Sequence, residues 1–134
     1  MTKTMNPKIE TYSSNRPWEV THRHSRGVSY GGIFETCLTS PSNPDGTIIG
    51  KGDLYAQTVR CYEIILETMK TAGYTPEDLV RCDVWLLDTA QYEIAARAHR
   101  DMVPETIRPV LSFIGCANFW HPDILVEVSV RAFR

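Results

Sequence analysis

The chain reads as an α+β fold, with a single sheet, two helices packed on one of its faces and the other face left free. Three observations carry that reading. Residues 53–72 and 90–102 repeat apolar side chains at helical spacing, whereas residues 79–87 and 124–133 alternate with the period of a strand. The elements run in the order strand, hairpin, helix, strand, helix, strand, strand. A length of 134 residues, 43% hydrophobic and 22% charged, fits one domain, 1–134, with an ordinary core.

Residues 1–7 are polar and are expected to form a flexible tail. Residues 8–13 alternate weakly and suit a first short strand. Residues 27–30 and 33–39 read as extended segments. "SPSNPDG" at 40–46 supplies turn residues in sequence, which predicts a hairpin loop with a return strand at 47–49. The clearest helix spans 53–72, with Asp53 suited to its N-cap and Gly73 to the position past its end. Tyr55, Val59, Tyr62, Leu66 and Met69 recur at steps of four and three, which predicts one apolar stripe against a sheet. "TPED" at 75–78 makes the next turn. In the strand at 79–87, Val80, Cys82, Val84 and Leu86 share one face, and Arg81, Asp83 and Trp85 share the other. Asp88 or Thr89 caps the second helix, whose inner side holds Tyr92, Ala95, Ala96, His99 and Met102. There His99 is expected to be a satisfied, half-buried histidine.

Pro104 and Pro109 bracket a connector, and residues 110–116 and 124–133 form the last two strands. Ile124, Val126, Val128, Val130 and Ala132 share the helix-facing side of the final strand. Leu125, Glu127, Ser129, Arg131 and Phe133 share the other. That second set is too mixed for a core and too apolar for open water, so the free face is expected to meet further copies of the chain.

Composition excludes several classes. The net charge is −2 without a Lys/Arg cluster, which makes nucleic acid an unlikely partner. No apolar run approaches the roughly 20 residues needed to cross a bilayer. The polar "MTKTMNPKIETYSS" lacks the apolar stretch of a signal peptide, so a cytoplasmic location is expected. Cys37, Cys61, Cys82 and Cys116 contain no C-x-x-C pair and read as small buried hydrophobes rather than zinc ligands or disulfides. His22 and His24 share a face if that stretch is extended, but no third ligand is near. Neither a metal nor a cofactor is expected.

A set of motifs, in order, resembles the RidA/YjgF/L-PSP group of small trimeric proteins. The pieces are "PWE" (17–19), "HSRGVSYGGIFETC" (24–37), the long run from "DLYAQTV" to "DVWLLD" (53–88), "RPVLS" (108–112) and "HPDILVEVSV" (121–130). The resemblance implies a chorismate mutase-like fold. Three subunits would pack with their sheets lining an axis, and clefts between them would bind small carboxylates. It also implies hydrolysis of reactive enamines and imines, such as 2-aminoacrylate, to keto acids and ammonia. The "PWE" relatives belong to divergent branches that include 2-aminomuconate deaminases.

Departures from the family pattern bear on substrate. The arginine that holds the substrate carboxylate in R-P-A-R-S is here Leu111, and the cysteine after R-S is Phe113. The family's Ser-Gly pair appears as Cys37 and Leu38, an N-terminal tyrosine as Trp18, and the second glutamate of V-E-I-E-A as Ser129. Glu127 is kept. Such a cleft is more aromatic, with Phe119 and Trp120 added, and lacks a charge-assisted clamp. It suits a larger, flatter or less charged ligand.

The candidate catalytic residues are Glu127 and His121. A carboxylate on a partly apolar strand face has its pKa raised unless it is paired, and it can then orient water near neutral pH. A loop histidine in a cleft is a general acid or base. The candidate substrate-binding residues are Arg26, Arg108, Leu111, Phe113, Trp120, Cys37 and Glu35. Arg26 or Arg108 would replace the missing clamp. No base near Cys37 is evident in the sequence. Glu35 is costly if buried alone and is expected to be an edge charge or a site residue paired with Arg26 or a histidine. The expectation is a homotrimeric, cofactor-free hydrolase of a small unsaturated amine, enamine or imine. The alternative is a non-catalytic trimer that binds a small ligand or acts like a chaperone.

Overall fold

In the computed structural model, which describes residues 8–134, six strands form one sheet. The tail expected at 1–7 lies outside the described residues. The chain opens with β1 (Glu10–Tyr12), a short helix α1 (Pro17–Thr21), β2 (Gly27–Tyr30) and β3 (Ile33–Thr36). It continues through α2 (Leu54–Thr71), β4 (Leu79–Leu86), α3 (Tyr92–Met102), β5 (Val110–Gly115) and β6 (Val126–Phe133). The spatial order is β1-β2-β3-β6-β4-β5. β2 and β3 join through Gly31 and Gly32 alone, at φ 56° and 84°. Two successive positive φ values give the turn whose twist matches the flanking strands, and glycine adopts them without strain. β4 pairs antiparallel with β6 and parallel with β5, so α3 is the crossover between β4 and β5.

α2 and α3 cover one face, and the core lies between them and Phe34, Cys82, Val84, Leu86, Val126, Val128 and Ala132 of the sheet. The inner side of α2 differs from the expected stripe. Leu54, Cys61, Tyr62, Ile65 and Met69 are buried, as are Gln57, Thr58, Ile64 and Thr68, whereas Tyr55, Val59 and Leu66 are only partly covered. Contact with α3 as well as the sheet widens the buried side. Thr58 and Thr68 enter it because each hydroxyl donates to the carbonyl four residues back, Leu54 O and Ile64 O, both at 2.8 Å. Tyr55 marks the seam with α3, its hydroxyl on Asp101 and the Arg97 guanidinium over its ring. Buried His99 pairs its Nδ1 with the Tyr62 hydroxyl at 2.6 Å.

Four more expectations are corrected. Val80 is 41% exposed and Leu79 is buried, because a bulge between Leu79 and Arg81 reverses the alternation at the start of β4. Tyr92 lies at the rim of α3, where its ring packs on Phe113. The return strand at 47–49 reduces to one bridge, Ser42 to Ile48, because Asn43, Asp45 and Thr47 close the turn on themselves. Finally, α1 was not foreseen, and His22 terminates it rather than lying on a strand beside His24.

Candidate functional site

Glu127 sits on β6 opposite Trp85 of β4, on the sheet face away from the helices. It is nevertheless only 6% exposed. The cover is the segment after β3. Thr39 exchanges both backbone hydrogen bonds with Val128, at 2.7 and 3.1 Å, and this lays residues 37–42 along β6. The Ser40 hydroxyl then donates to Glu127 Oε2 at 2.7 Å, and Trp120 Nε1 donates to Ser40 Oγ at 2.8 Å. Burial pushes the Glu127 carboxyl above its ordinary value, and the Ser40 hydroxyl, the Trp120 N–H and the Arg26 charge oppose that rise.

The Trp120 ring is 57% exposed and lies 5.8 Å, centroid to centroid, from the Trp18 ring. Trp18 is held out by α1, a single turn that proline starts with its preset φ. The next residue, Glu19, turns inward and is 5% exposed. It accepts from Ser13 Oγ, Ser14 N and Ser14 Oγ and pairs with Arg26 Nε at 3.7 Å.

Arg26 is 3% exposed, so its guanidinium faces the protein rather than a cleft. Its Nη1 donates to Cys37 Sγ at 3.1 Å, Leu38 O at 3.1 Å and Thr39 Oγ1 at 3.3 Å. Cys37 is accessible and has His24 Nδ1 at 4.0 Å, the neighbouring imidazole that sequence did not reveal. Partial desolvation pushes its thiol up more than the Arg26 charge lowers it, so the resting form is the neutral thiol. His121 follows Trp120, edge-on to its ring, and its Nδ1 accepts from Asp123 N at 3.0 Å. A neutral His121 therefore carries its proton on Nε2.

The remaining candidates lie elsewhere in the chain. Leu111 and Phe113 stand on edge strand β5 opposite Cys82 and Val84, hence on the helix side of the sheet. Arg108 is exposed and donates to two nearby carbonyls, Glu105 O and Ile107 O. Glu35 pairs with Arg131 at 2.9 Å and accepts from the Tyr30 hydroxyl, which holds its carboxyl below the ordinary value. Its partners are therefore neither Arg26 nor a histidine. One chain thus brings together Glu127, Trp120, His121, Arg26 and Cys37, and leaves Arg108, Leu111, Phe113 and Glu35 apart.

The family model described as Endoribonuclease L-PSP matches residues 14–134. The chain belongs to this family, the RidA/YjgF/L-PSP group. Rv2704 of Mycobacterium tuberculosis, a member of the YjgF/YER057c/UK114 family, is 26% identical; its structure superposes at a TM-score of 0.84, with 94% of this chain and 99% of that one covered. The YjgF product of E. coli shares the fold at a TM-score of 0.81 and 22% identity, over 93% of this chain and 98% of its own. An uncharacterized protein of Streptomyces coelicolor, SCO2049, is 27% identical over 126 residues, 94% of this chain and 92% of its length.

Within this L-PSP member, sequence reasoning missed Ser40, Arg16 and Glu19. Ser40 lies in a stretch whose Pro, Asn, Asp and Gly signal only a turn. Glu19 was visible in "PWE", but its partner is set by a helix too short to show periodicity.

Proposed function

We propose that this L-PSP protein is a cofactor-free hydrolase of a small, flat, unsaturated amine in its enamine or imine form. The observation that carries the reading is the buried Glu127, hydrogen-bonded through Ser40 to Trp120, whose exposed ring packs with the half-buried ring of Trp18. An enamine first takes a proton on carbon from the neutral Glu127 carboxyl and becomes an iminium, leaving the carboxylate that acts next. Water then adds to the C=N carbon while Glu127 removes its proton. The same carboxyl returns that proton to nitrogen, the C–N bond breaks, and a carbonyl product and ammonia leave. A carboxyl that burial holds above its ordinary value takes up and returns the proton in these steps. Trp18 and Trp120 stack the conjugated substrate, and His121, its Nδ1 occupied by Asp123 N–H, orients it by a hydrogen bond from Nε2–H.

In the proposed assembly, a second subunit brings its β5 edge, with Leu111, Phe113 and Arg108, against this cluster to complete the cleft. Release of ammonia from a panel of enamines and imines, including 2-aminomuconate-like compounds, tests the reading. Glu127→Ala is expected to abolish turnover, a loss of at least about 100-fold, with the oligomer intact. Retained turnover overturns the mechanism.

A non-catalytic, ligand-binding trimer is the second reading. It is favoured by the cations: Leu111 stands at the family's arginine position, Arg26 is enclosed, and Arg108 is turned onto its own backbone. Saturable binding of a flat ligand without any product would decide for it. A ribonuclease role draws no support from a net charge of −2.

A further inference from the structure

Two arginines, Arg16 and Arg26, are buried at 6% and 3% exposure, and both reach the segment that carries Ser40. Arg26 grips it before Ser40, at Leu38 O and Thr39 Oγ1. Arg16 grips it after Ser40, donating Nη2 to Ser42 O and Nε to Ser42 Oγ at 3.4 Å, while its Nη1 holds Ser14 O at 2.6 Å. Ser42 N in turn donates to Ser40 O at 2.8 Å. Glu19 pairs with Arg26, whereas Arg16 is paired with carbonyls and a hydroxyl instead of a carboxylate. A buried guanidinium is costly, and a loop with no positional task is held more cheaply by neutral donors.

We propose that Arg16 and Arg26, with Glu19 as counter-ion, are positioning residues that clasp residues 38–42 and fix the Ser40 hydroxyl on Glu127. The assignment takes Glu127 as the working acid of the proposed function, and it adds the residues that set its proton affinity. α1 then has two tasks, since Trp18 walls the cleft and Glu19 secures the clasp. A rigid support of this kind is what a hydrogen bond needs to act on a carboxyl without reorganisation.

Arg16 is the informative residue. Glu127 is coupled to Arg26 and to the thiols of Cys37, Cys61 and Cys116, and Arg16 is coupled in turn to Arg26 and Glu19. Arg16 has two routes to Glu127, one through the Ser42 and Ser40 contacts and one through the charges of Arg26 and Glu19, and the double variant with Ser40→Ala separates them.

The test titrates Glu127 by 13C NMR in full-length protein labelled at glutamate carboxyls, with the resonance assigned by its loss in Glu127→Gln. Ser40→Ala is expected to raise the Glu127 midpoint by about one pH unit, the value of a hydrogen bond to a charged group. Arg16→Met should raise it in the same direction, Arg16→Lys should lie between it and wild type, and the double variant Arg16→Met/Ser40→Ala should move no further than Ser40→Ala alone. A wild-type midpoint in both Arg16 variants overturns the proposal, as does full additivity in the double variant. If Arg16→Met fails to fold, Arg16→Lys and its double with Ser40→Ala carry the same comparison. The readout needs no turnover: a wild-type protein without hydrolase activity that still shows these midpoints sinks the enzymatic reading and leaves the clasp standing.

Discussion

At the scale of single residues, Glu127 shows a conflict between stability and chemistry. Burial raises its carboxyl, so the folded chain holds that proton more tightly than the unfolded chain does. Its contribution to stability is complete below the ordinary carboxylate value, about 4.5, and is lost as pH rises through the folded value. Glu127→Gln removes the charge at nearly constant shape. It is therefore expected to unfold at higher denaturant than wild type at about pH 8, with the difference closing near pH 4. Urea unfolding at the two pH values checks this, and equal midpoints at both would show that the carboxyl is not strained by burial. Sequence revealed Glu127 because an acid interrupts an apolar strand, but it did not reveal the Ser40 partner, 87 positions away.

At the scale of elements, Gln57 ties the site's loops to α2. It is fully buried. Its amide donates to Ile49 O, Gly50 O and Asp123 O, and its carbonyl accepts from Leu125 N. One side chain thereby contacts four backbone groups from two separate connections, of which Gly50 O also accepts from Asp53 N. Gln57→Leu leaves Ile49 O, Asp123 O and Leu125 N without this partner, while Gly50 O keeps Asp53 N, and is expected to cost about 3–5 kcal/mol, measured as a loss in denaturant midpoint. A loss below about 1 kcal/mol would mean that water replaces the amide. The helices and β6 were legible because regular periodicity is a local property. The β4 bulge was not, since both Leu79 and Val80 are apolar and only pairing with β6 selects the one that turns inward. Gln57 was passed over for the same reason, as a polar residue on an apolar helix signals nothing until its partners are in place.

At the scale of the whole molecule, the sheet face opposite the helices is uncovered over most of its width. It carries Val28, Ile33, Trp85, Ile114 and Phe133 around the charged groups Arg81, Asp83, Glu35 and Arg131. Arg81 and Arg131 stand directly opposite each other, each with its own acid, Asp83 at 3.5 Å and Glu35 at 2.9 Å. Such a surface, apolar with internally balanced charges, suits burial against copies of itself. The 15.2 kDa chain is expected to sediment as a trimer. Ser129→Arg would place a third arginine among Arg81 and Arg131 and is expected to release monomers with an unchanged far-UV spectrum. A monomeric wild type would remove both the assembly and the composite cleft.

The order of the two long helices and the main strands, the α+β class, the inward side of β6 and the family were determined by sequence alone, because each rests on local periodicity or on motifs read in order, whereas α1 and the loss of the 47–49 strand were not. Tertiary structure decided what surrounds the acid. It turned Arg26 inward against Glu19, gave Glu35 to Arg131, and brought Ser40 and Trp120 onto Glu127. Those pairings depend on backbone segments that meet only after the sheet has assembled, and the energy of a buried charge is set by such neighbours rather than by its place in the chain.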